Sequence, residues 1–581
     1  MRRFESTPHR SMPRRTPWHP FARMALVSWL LACAVSGRAA PAVASPDLYP
    51  APEPSGSVSI ELHCSGATND VRTVAFGLPF PRGFVADTER IRLEDSGEEI
   101  ASDVLELAGW RHFSDKSIDG RSLRAVLISF RHDCARAPQA AYTVRWGAPR
   151  SRRAQLGLTP SNVAERTWVA QAEPLPTEHP MTDNYAVDAA AAPVREPAVW
   201  VVPPAEWLMK SNLRGPVAPI RAGMARDWML GFLRTYVNDV AADVSAFERN
   251  DNGQGLIHWG NEFEGWLYDR PAVLWNAYVQ TGDAKWLRHA HRATQFYASH
   301  LALEGRRGSF AKRPGDAKYA HAGGLFTAYL MTGDARLIER IRAVAELVAT
   351  VPTRLPPIER TTGLWTERHM SVAIGGALSA WEATGEAVYR DRVLRIVEGM
   401  RADALRPPPG YPDAEAMAGV LFHRPEVHEE GSFPDLVMSP WMAALMTEAL
   451  WRYHLHSDDR RALQILGDYA QFVAAHAIEQ QGVDWSPRYL AGLKGNYEGA
   501  EPEHALDVLG LLARGRWARQ RLGQPSEAIE QQMEKLRRTA DATLSGWVRA
   551  SPGLPRYRLA PTRKAGWWYG TTYDLAWFGY D

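Results

Sequence analysis

Side chains suited to acid–base chemistry and to sugar binding are concentrated in a few short segments of the chain. Residues 253–269, GQGLIHWGNEFEGWLYD, contain His258, Trp259, Asn261 and Glu262. Comparable groups follow in later segments, at Arg313, Lys318, Tyr319, His321, Trp365, Glu367, Arg368, His369, Arg488, Tyr489, Tyr497 and His504. Indole rings can stack on apolar faces of a ligand, while amides and carboxylates bind hydroxyl groups. We therefore predict that these segments line a cleft for a carbohydrate.

One reaction that fits these residues is the β-elimination of a uronate. It requires neutralisation of a carboxylate, removal of the proton beside it and protonation of the leaving oxygen. Arginine grips a carboxylate with a planar fork, so Arg313, Arg368 and Arg488 are the candidates for neutralisation. The candidates for base or acid are His321, His369, Tyr319, Tyr489 and Lys318. Among these we predict the pair of Tyr319 and His321, supported by Arg368 and His369. The predicted substrate-binding residues are His258, Trp259, Asn261, Glu262, Arg313, Lys318, Trp365, Glu367, Arg488, Tyr489, Tyr497 and His504.

Two other hypotheses use the same cleft. An inverting glycoside hydrolase needs two facing carboxylates about 5 to 10 Å apart. The candidates are Glu262, Glu264, Asp269, Glu367, Glu429, Glu430, Glu498 and Glu501, although acidic residues at helix entries are also ordinary caps. The remaining hypothesis is a surface glycan-binding protein without catalytic activity.

The sequence carries no signature of a cofactor. Residues 423–435, HRPEVHEEGSFPD, could bind a divalent cation, but their spacing fits no standard metal site. A Walker loop, a dinucleotide fingerprint and a GxSxG elbow are all absent from the sequence. We therefore expect no cofactor and assign no metal ligand.

Helices must position these segments, because apolar residues recur at helical spacing from about residue 214 onward. The predicted helices are 224–244, 271–280, 284–300, 323–331, 335–349, 370–383, 387–400, 440–455, 460–476, 503–516 and 526–548. Three of them end in the same Thr-Gly-acid turn, at Thr281, Thr332 and Thr384, which indicates repeated helical hairpins. In a ring of hairpins the loops that enter the inner helices meet at one mouth. The polar segments would then line a single cavity in an (α/α)6-type toroid over residues 214–581.

The region before the helices has a different pattern. Residues 57–150 alternate with period two between turn clusters, which predicts an all-β sandwich or barrel. Residues 151–213 are rich in Ala, Pro and Val and predict a linker that wraps on the second domain. Cys64 and Cys134 would pair in an exported chain, and two separate buried thiols are the alternative. The fold class is therefore multidomain, an all-β domain followed by the toroid.

The first 44 residues have the features of a secretory signal. A basic segment precedes the short apolar run MALVSWLLACAV and a small-residue cleavage site, and residues 45–56 follow as a linker. LLAC also resembles a bacterial lipoprotein box, so Cys33 could carry a lipid anchor. We expect a secreted or periplasmic protein, with an outer-membrane lipoprotein as the alternative. The net charge of +1 includes seven Arg and one Glu before residue 45, so a nucleic-acid partner is not expected.

Several motifs together resemble the exo-rhamnogalacturonan lyase-like family. They are FGLPFPRG at 76–83, Trp110 ahead of an Asp-Gly turn, the strand SLRAVLISF, GLIHWG at 255–260, Trp275-Asn276, and the segment from His321 to Asp334. The resemblance covers residues 57 to 400. It implies an N-terminal RIFT-type barrel before an (α/α) toroid, and a lyase acting on an acidic polysaccharide. The lyase hypothesis rests mainly on this resemblance.

Overall fold

The computed structural model describes residues 48–65, 70–170, 195–219, 269–310, 315–358, 365–425, 435–494, 497–550 and 569–579. The predicted signal, the lipid-anchor position Cys33 and the predicted helix 224–244 lie outside these residues. Within the described ranges, no helix combines the length and the apolar character needed to cross a bilayer.

The N-terminal region consists of antiparallel strands. They are β1 (Gly56–Cys64), β2 (Val71–Pro79), β3 (Ile91–Asp95), β4 (Glu98–Ile100), β5 (Ser102–Gly109), β6 (Leu123–Asp133), β7 (Gln139–Trp146), β8 (Trp168–Ala170), β9 (Arg195–Pro197) and β10 (Val199–Val202). One sheet has the order β10-β1-β7-β3-β4 and the other β2-β6-β5, while β8 pairs with β9. Ile60 and Val144 of the first sheet share a core with Phe76 and Ile128 of the second. This core follows from the alternation of apolar residues along each strand.

Two connections complete the β region. A disulfide joins Cys64, at the end of β1, to Cys134, just after β6, and so connects the two sheets. Residues 199–202 lie in the segment predicted as a linker, but they form β10 and pair with β1 from Glu61 to Cys64. Four apolar residues, VWVV, are too few for a period to be recognised in the sequence.

The remainder of the described chain is mainly helical. Two short helices, α1 (Val163–Thr167) and α2 (Ala205–Lys210), precede α3 (Arg270–Thr281), α4 (Ala284–His300), α5 (Gly323–Thr332), α6 (Arg336–Val348), α7 (Glu367–Thr384), α8 (Ala387–Leu405), α9 (Ala414–Met417), α10 (Pro440–Leu455), α11 (Arg460–His476), α12 (Ala505–Leu522) and α13 (Glu527–Ala550). The predicted order of a β region followed by helices is therefore confirmed. The largest difference in boundaries is at α12, which continues to Leu522 instead of ending at residue 516.

The repeated turn has one geometry in all three hairpins. In each of 281–283, 332–334 and 384–386 the threonine hydroxyl donates to the carbonyl four residues earlier and accepts the amide of the acidic residue. The glycine between them is left-handed, with φ of 67°, 73° and 72°, a conformation that glycine adopts without a steric penalty. The turns that join the two helices in the hairpins α3–α4, α5–α6 and α7–α8 therefore have the same conformation.

Contacts between hairpins form a closed series. Among α3, α5, α7, α10 and α12, each helix packs against the next. We call these five the inner helices. The most apolar of them, α5, is buried at every residue. Residues 569–579 then pack against both ends of the series. Asp574 accepts a 2.8 Å hydrogen bond from Arg514 of α12, and the Tyr573 carbonyl accepts one of 3.0 Å from Gln280 of α3.

The β region lies against the turn end of these helices. Leu127 is next to Gly333 and Arg111 is next to Gly385, and the Tyr329 hydroxyl donates to the Leu107 carbonyl at 2.8 Å. The opposite end, where the inner helices begin, is therefore the end at which the predicted site residues occur.

Several segments between the predicted helices contain short strands. They are β11 (Ala302–Glu304), β12 (Arg307–Ser309), β13 (Val437–Met438), β14 (Ile478–Gln481), β15 (Asp484–Gly492) and β16 (Tyr497–Ala500). Successive side chains of a strand point to opposite faces. The neighbours Arg488 and Tyr489 of β15 are thereby directed apart.

Candidate functional site

A cavity opens among the inner helices at their starting end. It contains about 750 Å³ of space, including the open solvent at its mouth. Its wall is formed by α3, the segment before α5, the first half of α7, the second half of α10, and Gly570 with Thr571. The polar lining residues are Arg214, Asp269, Asn276, His321, Arg368, Ser371, Glu448, Arg452 and Thr571.

Arg368 is the predicted residue with the clearest place in this cavity. It lies in the first turn of α7, and the N-cap residue of this helix is Thr366, whose side chain accepts the amide of His369 at 3.3 Å. The guanidinium carbon of Arg368 lies 4.8 Å from the centre of the Trp441 ring. Within the part of the chain that the structure describes, this guanidinium has no ion-pair or hydrogen-bond partner. A half-buried cation is therefore available to an anionic ligand.

His369 has a different environment from its neighbour. Its Nδ1 lies 2.7 Å from the Thr366 hydroxyl, and the residue is buried. Burial, followed by the nearby charges of Arg368, Lys318 and His423, lowers the pKa of His369 to about 3. Because the imidazole is then neutral at physiological pH, it is a poor proton donor.

Glu367 and Trp365 lie beneath the surface of the site. Glu367 is fully buried, and its Oε2 is 3.1 Å from His423 Nε2 while its Oε1 accepts the Ser439 amide at 3.3 Å. These bonds connect the start of α7 to the start of α10. Trp365 is also buried, with its ring centre 6.3 Å from that of His423. Both residues, predicted to bind substrate, therefore pack inside the protein.

A second group of predicted residues surrounds Trp441. The rings of Trp441 and His504 are nearly parallel, 5.6 Å apart, and Tyr489 lies 5.8 Å from Trp441. Burial opposes a charge on His504, but hydrogen bonds to Asp507 (2.8 Å) and Glu501 (3.3 Å) raise its pKa to about 9. Arg368, Tyr489 and His504 thus meet around one indole.

Arg488 does not join that group. On the other face of β15, its Nε lies 3.5 Å from Glu479 Oε2. The predicted pair of adjacent substrate-binding residues, Arg488 and Tyr489, is thus divided by the alternation of the strand.

Tyr319 and His321 are held in place by another tyrosine, Tyr297. The Tyr297 hydroxyl donates to the Tyr319 carbonyl at 2.7 Å and accepts the His321 amide at 2.8 Å. His321 lines the cavity, whereas Tyr319 is buried and is not part of the lining. Lys318 lies 3.6 Å from Asp316.

The remaining predicted residues, or their side chains, lie outside the described part of the chain. His258, Trp259, Asn261, Glu262 and Arg313 lie outside the described residues. Tyr497 belongs to β16, but its side chain lies outside the description as well.

The deep part of the cavity contains residues that the sequence analysis missed. Arg214 donates to the Asn276 side chain at 2.8 Å and to the Thr327 hydroxyl at 3.2 Å. Glu448 and Arg452 lie one turn apart on α10. Their signal was present in the sequence, because a glutamate and an arginine four residues apart interrupt an otherwise apolar inner helix.

Asp269 also lines the cavity, but both of its oxygens bind backbone amides. Oδ1 accepts from Ala272 at 3.1 Å and Oδ2 from Gly324 at 3.0 Å. The carboxylate thereby caps α3 and binds the first turn of α5. A Cβ on Gly324 would lie 2.5 Å from that of Pro271, so the glycine permits this close approach.

No protein-family model and no curated protein matches the chain. Similar solved structures include an unsaturated glucuronyl hydrolase specific for heparin, with 13% identity over 60% of this chain and 96% of that one (TM-score 0.39). A polysaccharide lyase shows 13% identity over 54% and 89% (TM-score 0.36). A family 76 glycoside hydrolase from a bovine Bacteroides thetaiotaomicron strain shows 10% identity over 88% and 98% (TM-score 0.39). All three are carbohydrate-active enzymes by name.

The described residues contain one group with the spacing of metal ligands, formed by Cys64, His132 and Cys134. The two sulfurs form the disulfide, so they do not act as thiolate ligands. Of the segment proposed as a cation site, residues 426–434 lie outside the described ranges.

Proposed function

We propose that this chain is a carbohydrate-active enzyme that cleaves a uronate-containing polysaccharide by β-elimination, in the central cavity of an (α/α) toroid. The observation that carries the proposal is the guanidinium of Arg368, which lies in the cavity wall and has no ionic or hydrogen-bond partner among the described residues. A uronate carboxylate would supply the missing partner, and its neutralisation would acidify the adjacent C–H bond.

His321 is assigned the proton transfer, because it is the histidine of the proposed acid–base set that lines the cavity. It takes the proton beside the carboxylate, and the electrons of that C–H bond form the new C=C bond. The glycosidic C–O bond breaks, and the proton passes to the departing oxygen. Tyr319 is proposed to support this step through the backbone segment that it shares with His321.

Hydrolysis by paired carboxylates has less support from the described candidates. Asp269 caps two helices, Glu367 is fully buried against His423, and Glu501 pairs with His504. Export of the enzyme is supported by the sequence of residues 1–44, and the Cys64–Cys134 disulfide suits an oxidising compartment.

Incubation with a panel of uronate polysaccharides tests the proposal. We expect ultraviolet absorbance from the unsaturated product, and we expect Arg368→Met to lower kcat/KM about 100-fold or more. Arg395→Met, which removes an exposed arginine of α8, is the matched control and should be neutral. New reducing ends without absorbance would show a hydrolase instead, and binding without turnover would show a glycan-binding protein.

A further inference from the structure

We propose that Glu448 binds hydroxyl groups of the sugar ring in the deep part of the cavity and so determines which ring is accepted. This inference rests on the proposed function, because it assumes that the cavity binds a sugar acid. It adds a specificity-determining residue that the sequence analysis did not identify.

The first support is the distribution of charge along the cavity. Arg368 has no ionic partner among the described residues, whereas the deeper arginines, Arg214 and Arg452, have carboxylates beside them. The charges of Glu448 and Asp269 stabilise both of these guanidinium groups. The deep part is therefore close to electrically balanced and offers little attraction for a second carboxylate. A neutral, hydroxylated portion of the ligand fits it better.

The second support is the way in which Glu448 is held. Its Oε1 lies 3.2 Å from the hydroxyl of Tyr573, which is also 3.2 Å from the Arg214 carbonyl. Tyr573 is buried, and burial, together with the charges of Glu448 and Asp574, raises its pKa well above the ordinary value. The phenol therefore stays protonated and orients the carboxylate. The second oxygen, Oε2, has no hydrogen-bond partner in the described part of the chain.

The chemistry of this pair of side chains matches a hydroxyl group. Carboxylate oxygens only accept hydrogen bonds, and the guanidinium of Arg452 only donates them, whereas a sugar hydroxyl does both. Glu448 and Arg452, one helical turn apart, can thus bind one hydroxyl or two adjacent ones. Asp269 is less suited to this role, because each of its oxygens already accepts a backbone amide.

Calorimetric titration with two pairs of sugars separates this role from that of Arg368. Glucuronate and galacturonate are each compared with the pentose that lacks the carboxyl carbon, xylose and arabinose respectively. We expect Glu448→Gln to lower the affinity about tenfold or more for every sugar that the wild type binds, because the substitution removes a hydrogen bond to a charged group. Arg368→Met should weaken only the uronates. Glu415→Gln, at an exposed glutamate of α9, is the matched control.

The outcomes are distinguishable. Wild-type affinity in Glu448→Gln, with an unchanged melting temperature, would overturn the inference while leaving the proposed function intact. Weakened binding of the uronates alone would also overturn it, since Glu448 would then act on the carboxylate end. A wild-type protein that binds none of the four sugars would remove the sugar site and this inference with it.

Discussion

At the scale of single residues, two buried histidines near the site show how partners decide charge. His369 has a threonine hydroxyl on Nδ1, and burial together with nearby cations lowers its pKa to about 3. His504 is similarly buried but has a carboxylate at each ring nitrogen, and its pKa rises to about 9. The cost of burying a charged imidazole is thus outweighed in His504, where a carboxylate lies at each ring nitrogen, and not in His369.

The raised pKa of His504 predicts a pH dependence of stability. A histidine whose pKa is higher in the folded state stabilises the fold fully at a pH below its pKa in the unfolded state, here 6.5. This contribution to the free energy of unfolding is lost as the pH rises through the folded-state pKa of about 9. We expect a loss on the order of 3 kcal/mol between about pH 6 and pH 10. Urea unfolding of wild type and His504→Gln at several pH values measures it. The two curves should converge at high pH, and a constant difference would refute the prediction.

At the scale of elements, the closing segment 569–579 depends on one buried ion pair. Arg514 of α12 is fully buried, and besides Asp574 it donates to the Thr571 carbonyl at 2.8 Å. Burial raises the pKa of Asp574 to about 6 despite this arginine. The pair therefore serves to fix the segment in place rather than to add much net stability.

Breaking this pair on one side should be costly. Arg514→Met leaves the Asp574 carboxyl buried without its partner, and we expect a loss of about 3 to 5 kcal/mol in the free energy of unfolding. Arg521→Met, an exposed arginine of the same helix, is the control in denaturant titration. The double variant with Asp574→Asn should recover part of the loss. Equal stabilities of Arg514→Met and the control would contradict the role of the pair.

The same scale shows what the sequence could predict. Apart from the single-turn α9, the helices from α3 to α13 were predicted, because apolar spacing and the Thr-Gly-acid turns act locally. Strand β10 was missed because a run of four apolar residues has no visible period. The deep site residues Asn276, Glu448 and Arg452 were not predicted because they lie within helices, whereas the predicted site residues concentrate in the segments before helices. No local signal could place Tyr297, an outer-helix residue, beneath the segment of His321.

At the scale of the whole molecule, a buried charge cluster joins the β region to the helices. The carboxylate of Glu382, on α7, lies 3.1 Å from Arg124 of β6, 3.4 Å from His456 and 3.9 Å from Arg452. Arg124 also lies 4.2 Å from the Trp110 ring centre. Since Arg452 lines the cavity as well, the β region is connected to the floor of the site through two side chains.

This connection predicts coupling between the domains. Arg124→Met leaves Glu382 buried beside fewer cations, and we expect a loss of about 3 to 5 kcal/mol. Glu382→Gln should also destabilise, and the double variant should lose less than the sum of the two. A double-mutant cycle by urea unfolding measures that difference. Strict additivity would show that the two residues do not interact.

The long separation in sequence between α3 and the closing segment has a consequence for biosynthesis. Gln280 and Tyr573, which are joined by a hydrogen bond, lie 293 positions apart in the sequence. During synthesis, α3 therefore leaves the ribosome long before residues 569–579 are available to pack against it. Until then, Glu448 lacks the phenol that orients it. Assembly of the cavity therefore cannot be completed before residues 569–579 have been synthesised, and contacts this distant in sequence favour slow folding.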